Sequence, residues 1–186
     1  MAMKKRIALI TGATRGIGKE ISLALAKEDI HVILLGRTIG ALEEISDKIH
    51  FNGGNATCVQ FDLSDLNKIY DLSQEIKERW GKLDILISNA AYLHNLTPLS
   101  HLSDKDWQIS INVNLSANWL LIKHFEKLLL ESENGKAIFI TSGASEGFRP
   151  FWGAYAISKA GLDNICLLYT SPSPRDDELS RMPSSA

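Results

Sequence analysis

The chain has 186 residues, 45% hydrophobic and 23% charged, with a net charge of −2. That suffices for one domain with a sizeable core but not for two, and the near-neutral balance argues against nucleic acid or an anionic membrane as partner. The apolar stretch at 7–10 is too short for a signal-peptide core and no run reaches membrane-spanning length, so a cytoplasmic protein is expected. Cys58 and Cys166 show no CxxC spacing and the five histidines are scattered, so neither a disulfide framework nor a metal site is expected.

In chain order, residues 7–10 read as a compact apolar strand. The turn Thr11-Gly12-Ala13-Thr14-Arg15-Gly16-Ile17-Gly18 follows, then a helical pattern with Ile17, Ile21, Ala24 and Leu25 on one face. Residues 32–35 are a second buried strand, succeeded by a helix through Leu42, Ile45 and Ile49. Gly53 and Gly54 mark a turn, and 57–61 a third strand that ends at Asp62. A helix is predicted from about Ser64 to Trp80, stopped by Gly81, and 83–88 form a fourth strand. Ser103-Asp104-Lys105-Asp106 reads as a capping box that opens one long helix to about Glu131. Residues 137–141 are a fifth strand, and Tyr155 begins another helix. Continuous apolar strands alternating with helices call for an α/β fold, a doubly wound parallel sheet covered on both faces.

Beyond residue 170 the composition changes: three of the five prolines fall there, without apolar periodicity. The segment is similar to translated sequencing-adapter read-through. The expectation is therefore a folded part over 1–165 and a non-native, irregular tail over 166–186.

Gly12, Gly16 and Gly18 lie between a strand and a helix, where a dinucleotide's pyrophosphate would sit against backbone N–H groups and a helix N-terminus. The second strand ends in Gly36-Arg37, where NAD enzymes place an acid for the ribose hydroxyls. Arginine attracts a 2′-phosphate that a carboxylate would repel, and Arg15 lies in the glycine turn on the same side. Charge-assisted hydrogen bonds of about 1.5–3 kcal/mol each would favour NADP over NAD by roughly ten- to a thousandfold.

The spacing of that turn resembles the cofactor motif of the short-chain dehydrogenase/reductase family, and further matches follow in order. They are Asp62 after the third strand, Ser88-Asn89-Ala90-Ala91 after the fourth, Asn114 in the long helix, Ser142 after the fifth, then Tyr155 and Lys159. The resemblance covers about residues 4–165 and departs at Ala91, where the family usually has glycine. It implies a Rossmann sheet in the order 3-2-1-4-5-6-7, with only strands one to five present here. It implies that Asp62 binds the adenine, that Asn89 and Ala90 line the adenosine side, and that Thr14, Ile17 and Leu63 complete the cofactor contacts. A homo-oligomeric full-length parent is also implied.

Tyr155 and Lys159, four apart on a helix, share a face. Carbonyl reduction needs a proton donor at the developing alkoxide, which a phenol can be, but its ordinary pKa near 10 makes it a poor base at neutral pH. An ammonium ~4 Å away is worth about 4 kcal/mol at an effective dielectric of 20, enough in principle to bring a phenol near neutrality. The resemblance adds that Tyr155 and Lys159 contact the cofactor, Lys159 through the nicotinamide ribose. Ser142, thirteen residues before Tyr155, can polarise the substrate carbonyl; Ser145 is one step off the family spacing. Asn114 matches the family asparagine that holds a water in a proton relay, in preference to Asn112. Glu146, Phe148, Arg149, Phe151 and Trp152 edge the cleft by position, with Tyr92, Leu93 and His94; their aromatics pack either a substrate or a missing C-terminal half.

Two readings stand: an NADP-dependent oxidoreductase acting on a carbonyl or secondary alcohol, or an inactive nucleotide-binding fragment of one. Carrier-linked 3-oxoacyl groups, small ketones and sugars remain open as substrates. With strands six and seven absent, 137–141 becomes an unpaired edge, and an aggregation-prone chain of little activity is expected.

Overall fold

In the computed structural model, which describes residues 5–147 and 149–169, five parallel strands lie in the order β3-β2-β1-β4-β5. They are β1 (Arg6–Thr11), β2 (Ile30–Gly36), β3 (Asn55–Gln60), β4 (Ile85–Ser88) and β5 (Lys136–Phe139). The α/β expectation and the strand order over these five hold. Successive side chains of a strand leave the sheet on opposite faces, and that alternation builds two cores. Ile7 and Leu9 of β1 and Ile33 and Leu35 of β2 pack with helices α3 (Ile69–Trp80) and α5 (Ala117–Leu130). Ala8, Ile10, Val32 and Leu34 pack with α1 (Gly16–Lys27) and α2 (Ile39–Phe51) on the other face.

The face of α1 differs from the expected one. Ala24 is exposed and Ile17 is 58% exposed, whereas Gly18, Ser22 and Ala26 are buried. Three small residues four apart let the helix lie close to the sheet, and the Ser22 hydroxyl donates back to the Gly18 carbonyl at 2.7 Å. Apolar side chains at Ile17 and Ala24 lost to backbone proximity.

The predicted helix from Ser64 is instead a 3₁₀ turn (Leu66–Lys68) followed by α3, which Gly81 ends in the left-handed conformation at φ 72°. The predicted long helix from Ser103 is divided: α4 (Asp104–Ile111) passes through a π turn (Asn112–Ser116) before α5 begins. Its start is as expected, since the Ser103 hydroxyl accepts the Asp106 N–H at 3.1 Å. The last helix, α6 (Gly153–Tyr169), starts two residues before Tyr155 and runs through Tyr169. Residues 166–169 are therefore helical, not irregular; residues 170–186, the rest of the expected tail, lie outside the described residues.

At the amino end of the sheet, the buried Asp84 carboxylate accepts from the Ile7 N–H at 2.7 Å, Lys82 Nζ at 2.7 Å and the Ser132 hydroxyl at 2.5 Å. It thus ties β1, β4 and the end of α5 together, leaving the opposite, carboxyl end free to build a site. No helix among the described residues is long and apolar enough to cross a membrane.

Candidate functional site

The strand order reverses between β1 and β4, and in such sheets ligands bind at the carboxyl ends beside that switch point. A cavity of about 400 Å³ lies there. Its walls include Gly12, Thr14, Arg15 and Gly16 after β1, Arg37 after β2, Asp62 and Leu63 after β3, and Asn89 to Tyr92 after β4.

The glycines divide the work. Gly12 and Gly16 take φ values of 65° and 54°, the left-handed region that favours glycine. At Gly18 a side chain would collide with the Gly12 carbonyl and the Asn89 amide, so this glycine serves packing and stands behind the cavity wall. Arg15 is the N-cap of α1 but gives no side-chain cap, and no acid occupies the first turn. The first N–H groups and the positive end of α1 are thereby left for an anion. Ile17 is exposed and not part of the cavity wall.

Arg15 and Arg37 are both exposed on this wall. The Arg37 carbonyl is held by Gln60 Nε2 at 3.0 Å. Asp62 accepts the Ser64 N–H at 2.9 Å in a tight Asx turn, which fixes its carboxylate at the strand end. Leu63 is buried beside it. Thr11, which sequence reading left without a role, accepts the N–H groups of Asn89 and Ala90 on its hydroxyl at 2.9 and 3.0 Å. Asn89 returns its side-chain amide to the carbonyls of Thr11 and Gly12 at 3.0 and 3.2 Å, so the two loops are laced together. Ala91 is not among the residues with positive φ, which accounts for alanine being accommodated there.

Tyr155 and Lys159 lie on α6, and Ser142 follows β5. Lys159 is 2% exposed and its ammonium donates to the Ile140 carbonyl at 2.6 Å. Burial pushes its pKa below the ordinary lysine range, opposed by the negative charge of Asp163 one turn on. Tyr155 is half-buried, with its ring edge-on to Trp152 at 5.7 Å between centroids. Ser142 accepts the Ala144 N–H on its hydroxyl at 3.2 Å, while the Ser145 hydroxyl is turned back onto the Ser142 carbonyl at 2.7 Å.

Asn114 sits fully buried in the π turn. Its Oδ1 accepts the Tyr92 N–H at 2.7 Å, and its Nδ2 donates to the Tyr92 carbonyl at 2.8 Å and to Ser158 Oγ at 3.0 Å. Ser158 in turn donates to the Tyr155 carbonyl at 2.8 Å. Asn114 thus joins the cavity loop to α6, and Ser158 is a supporting residue that sequence reading missed. Asn112 points elsewhere, to Gln108 at 2.7 Å and the Ser64 carbonyl at 3.5 Å.

Of the expected cleft edge, Tyr92 lines the cavity and its hydroxyl donates to Asp106. His94 does not edge it: the ring is buried, with Nδ1 on the Asn95 carbonyl at 2.6 Å. Phe148 lies outside the described residues.

A family model described as short chain dehydrogenase matches residues 6–169. The chain is similar to a 3-oxoacyl-[acyl-carrier-protein] reductase of Synechocystis sp., at 33% identity over 162 residues, 87% of this chain and 65% of that protein. It is also similar to the crystal structure of a metagenomic short-chain oxidoreductase in complex with NADP (TM-score 0.84, 29% identity, 95% of this chain and 77% of that one). A short chain dehydrogenase of Shigella flexneri 2a, complexed with NADP, gives a TM-score of 0.81 at 32% identity, over 86% of this chain and 68% of that one. The chain spans just under two thirds, 65% and 66%, of the first curated relatives it matches. The glycine turn, the sheet order and the family match lead to one assignment: this chain belongs to the short-chain dehydrogenase family.

Proposed function

We propose that the chain carries the dinucleotide-binding and catalytic part of an NADP-dependent oxidoreductase that moves a hydride between nicotinamide and a carbonyl or secondary alcohol. The observation that carries this reading is the cavity itself, where the uncapped end of α1 and two exposed arginines share one wall with the glycine turn. Among the described residues Asp62 is the one carboxylate on the cavity wall, and it stands at the end of β3, leaving the end of β2 to Arg37. Those residues fit a phosphorylated dinucleotide. The two solved relatives described above were crystallised with NADP, which supports the same choice over NAD.

NADPH, when bound, supplies the hydride. The chain's own groups do the rest: Ser142 holds the carbonyl oxygen, and the Tyr155 phenol gives that oxygen its proton. Lys159, one turn of α6 after Tyr155, has its ammonium held by the Ile140 carbonyl. Asn114 keeps the cavity loop and α6 in register through Tyr92 and Ser158.

The test replaces Arg37 with aspartate. Arg37→Asp is expected to shift the ratio of NADP to NAD affinity toward NAD by roughly ten- to a thousandfold, read by equilibrium titration of both cofactors. An unchanged ratio would sink the assignment of Arg37. Cofactor binding without reduction of any ketone or oxidation of any alcohol would leave only a nucleotide-binding role.

A further inference from the structure

The segment between Ser142 and α6 contains a turn whose geometry exceeds what connecting β5 to α6 requires. The Trp152 N–H donates to the Arg149 carbonyl at 3.3 Å, closing a four-residue turn over Pro150 and Phe151. Phe151 has φ 72°. Proline at the second position and positive φ at the third define a type II turn, in which the third position normally belongs to glycine. A bulky side chain there is strained. Burial does not offset that strain, because Phe151 is 52% exposed. A strained residue four positions before a candidate catalytic residue motivates the search for a ligand contact.

The turn has a second consequence. It brings Arg149 over the Trp152 ring, with the guanidinium carbon 5.6 Å from the ring centroid, and Trp152 meets Tyr155 edge-on at 5.7 Å. A permanent cation is thereby held two ring contacts from the phenol that delivers the proton. Stacking on an aromatic face leaves the in-plane N–H donors of a guanidinium available. Among the described residues the ion pairs involve Lys5, Lys68 and Lys82, and no carboxylate there pairs with Arg149. The Phe151 carbonyl also accepts from the Thr97 N–H at 3.4 Å, linking the turn to the loop whose earlier residues line the cofactor cavity.

We propose that Arg149 binds a carboxylate on the substrate, so that the site takes oxo acids, or the matching hydroxy acids, in preference to neutral ketones. One guanidinium offers a fork that matches one carboxylate, and Phe151 and Trp152 provide apolar surface for the chain between that carboxylate and the reacting carbonyl. The proposal rests on the oxidoreductase reading above for which end of the substrate reacts, not for the binding itself.

The test compares 4-oxopentanoate and 5-oxohexanoate with their methyl esters, by titration calorimetry on the full chain with NADP and by NADPH oxidation. Each acid is expected to bind about fivefold more tightly than its ester, the upper end for an exposed ion pair (~1 kcal/mol). Arg149→Gln should remove that preference by weakening the acids about fivefold while leaving the esters within about twofold, and Arg149→Lys should restore part of it. Equal effects on acid and ester, or no acid preference in either pair (no binding included), would overturn the proposal. Acid-selective binding without any NADPH oxidation would count against the oxidoreductase reading and leave the Arg149 site standing. Oxidation that proceeds equally well with acids and esters would do the reverse.

Discussion

Asp84 shows how far one side chain can reach. Burial pushes its carboxyl up, but the hydrogen bonds from Lys82, Ser132 and the Ile7 N–H together outweigh that and hold it below the ordinary aspartate range. A carboxyl depressed in the folded state contributes stability that is fully present above the unfolded pKa of about 3.9 and is lost as pH falls through the folded value. Asp84→Asn is therefore expected to destabilise by about 2–4 kcal/mol at neutral pH. In urea titrations the gap between the two proteins should narrow as pH drops below about 4; a gap independent of pH would mean that charge is not the cause. Nothing near Asp84 in the chain announced this role, because its Ile7 and Ser132 partners are 77 and 48 residues away. Thr11 escaped notice for the same reason, its partner Asn89 being 78 residues on. Gly12, Arg15 and Arg37 were legible because each is an unusual residue type at a strand end, where local backbone or charge demands are already visible. Phe151 was legible only as an aromatic near Tyr155; its backbone conformation is a property of the folded turn.

The elements that sequence misjudged share a cause. The capping box at Ser103 predicts one long helix, but the π turn at Asn112–Ser116 widens the helix there and shifts the phase between α4 and α5. That shift lets Asn114 point inward at 0% exposure while Leu121, Phe125 and Leu128 still face the core. On α1, counting apolar residues chose Ile17 and Ala24, whereas the close approach to the glycine turn selected Gly18, Ser22 and Ala26. In both cases the apolar period gave way to a polar or backbone requirement at the site. The π turn carries a specific expectation. Asn114→Ala removes the partners of both the Tyr92 N–H and carbonyl, and of Ser158, inside a buried network. Leaving buried groups unpaired costs about 1–3 kcal/mol each where water cannot replace the partner, so a total loss of about 2–4 kcal/mol is expected. Urea unfolding of the variant measures it, and a change within about 0.5 kcal/mol would show that the network is dispensable to the fold.

At the scale of the whole molecule, β5 is one of the two edges of the sheet, β3 being the other. The N–H groups of Lys136 and Ile140 point to β4, donating to Asp84 and Ser88 at 2.9 Å each. In a parallel strand the intervening residues, Ala137 and Phe139, then direct their N–H and C=O groups away from β4, and β5 has no other strand partner among the described residues. Ile138 is 48% exposed on this strand. An apolar edge with free backbone groups invites pairing with another chain, and a net charge of only −2 offers little repulsion against it. The chain is therefore expected to self-associate through β5, with light scattering on size-exclusion fractions as the measurement. Charge at the edge separates this cause from simple colloidal insolubility. Ile138→Lys moves the net charge toward zero and Ile138→Glu moves it away. If strand pairing drives association, both variants shift the chain toward monomer, because either charge at the edge must be desolvated for a second β5 to dock. If weak net repulsion is the cause, only the glutamate helps and the lysine makes association worse. A lysine variant as associated as the parent would remove β5 from consideration and turn attention to other exposed apolar residues such as Leu130 and Trp119.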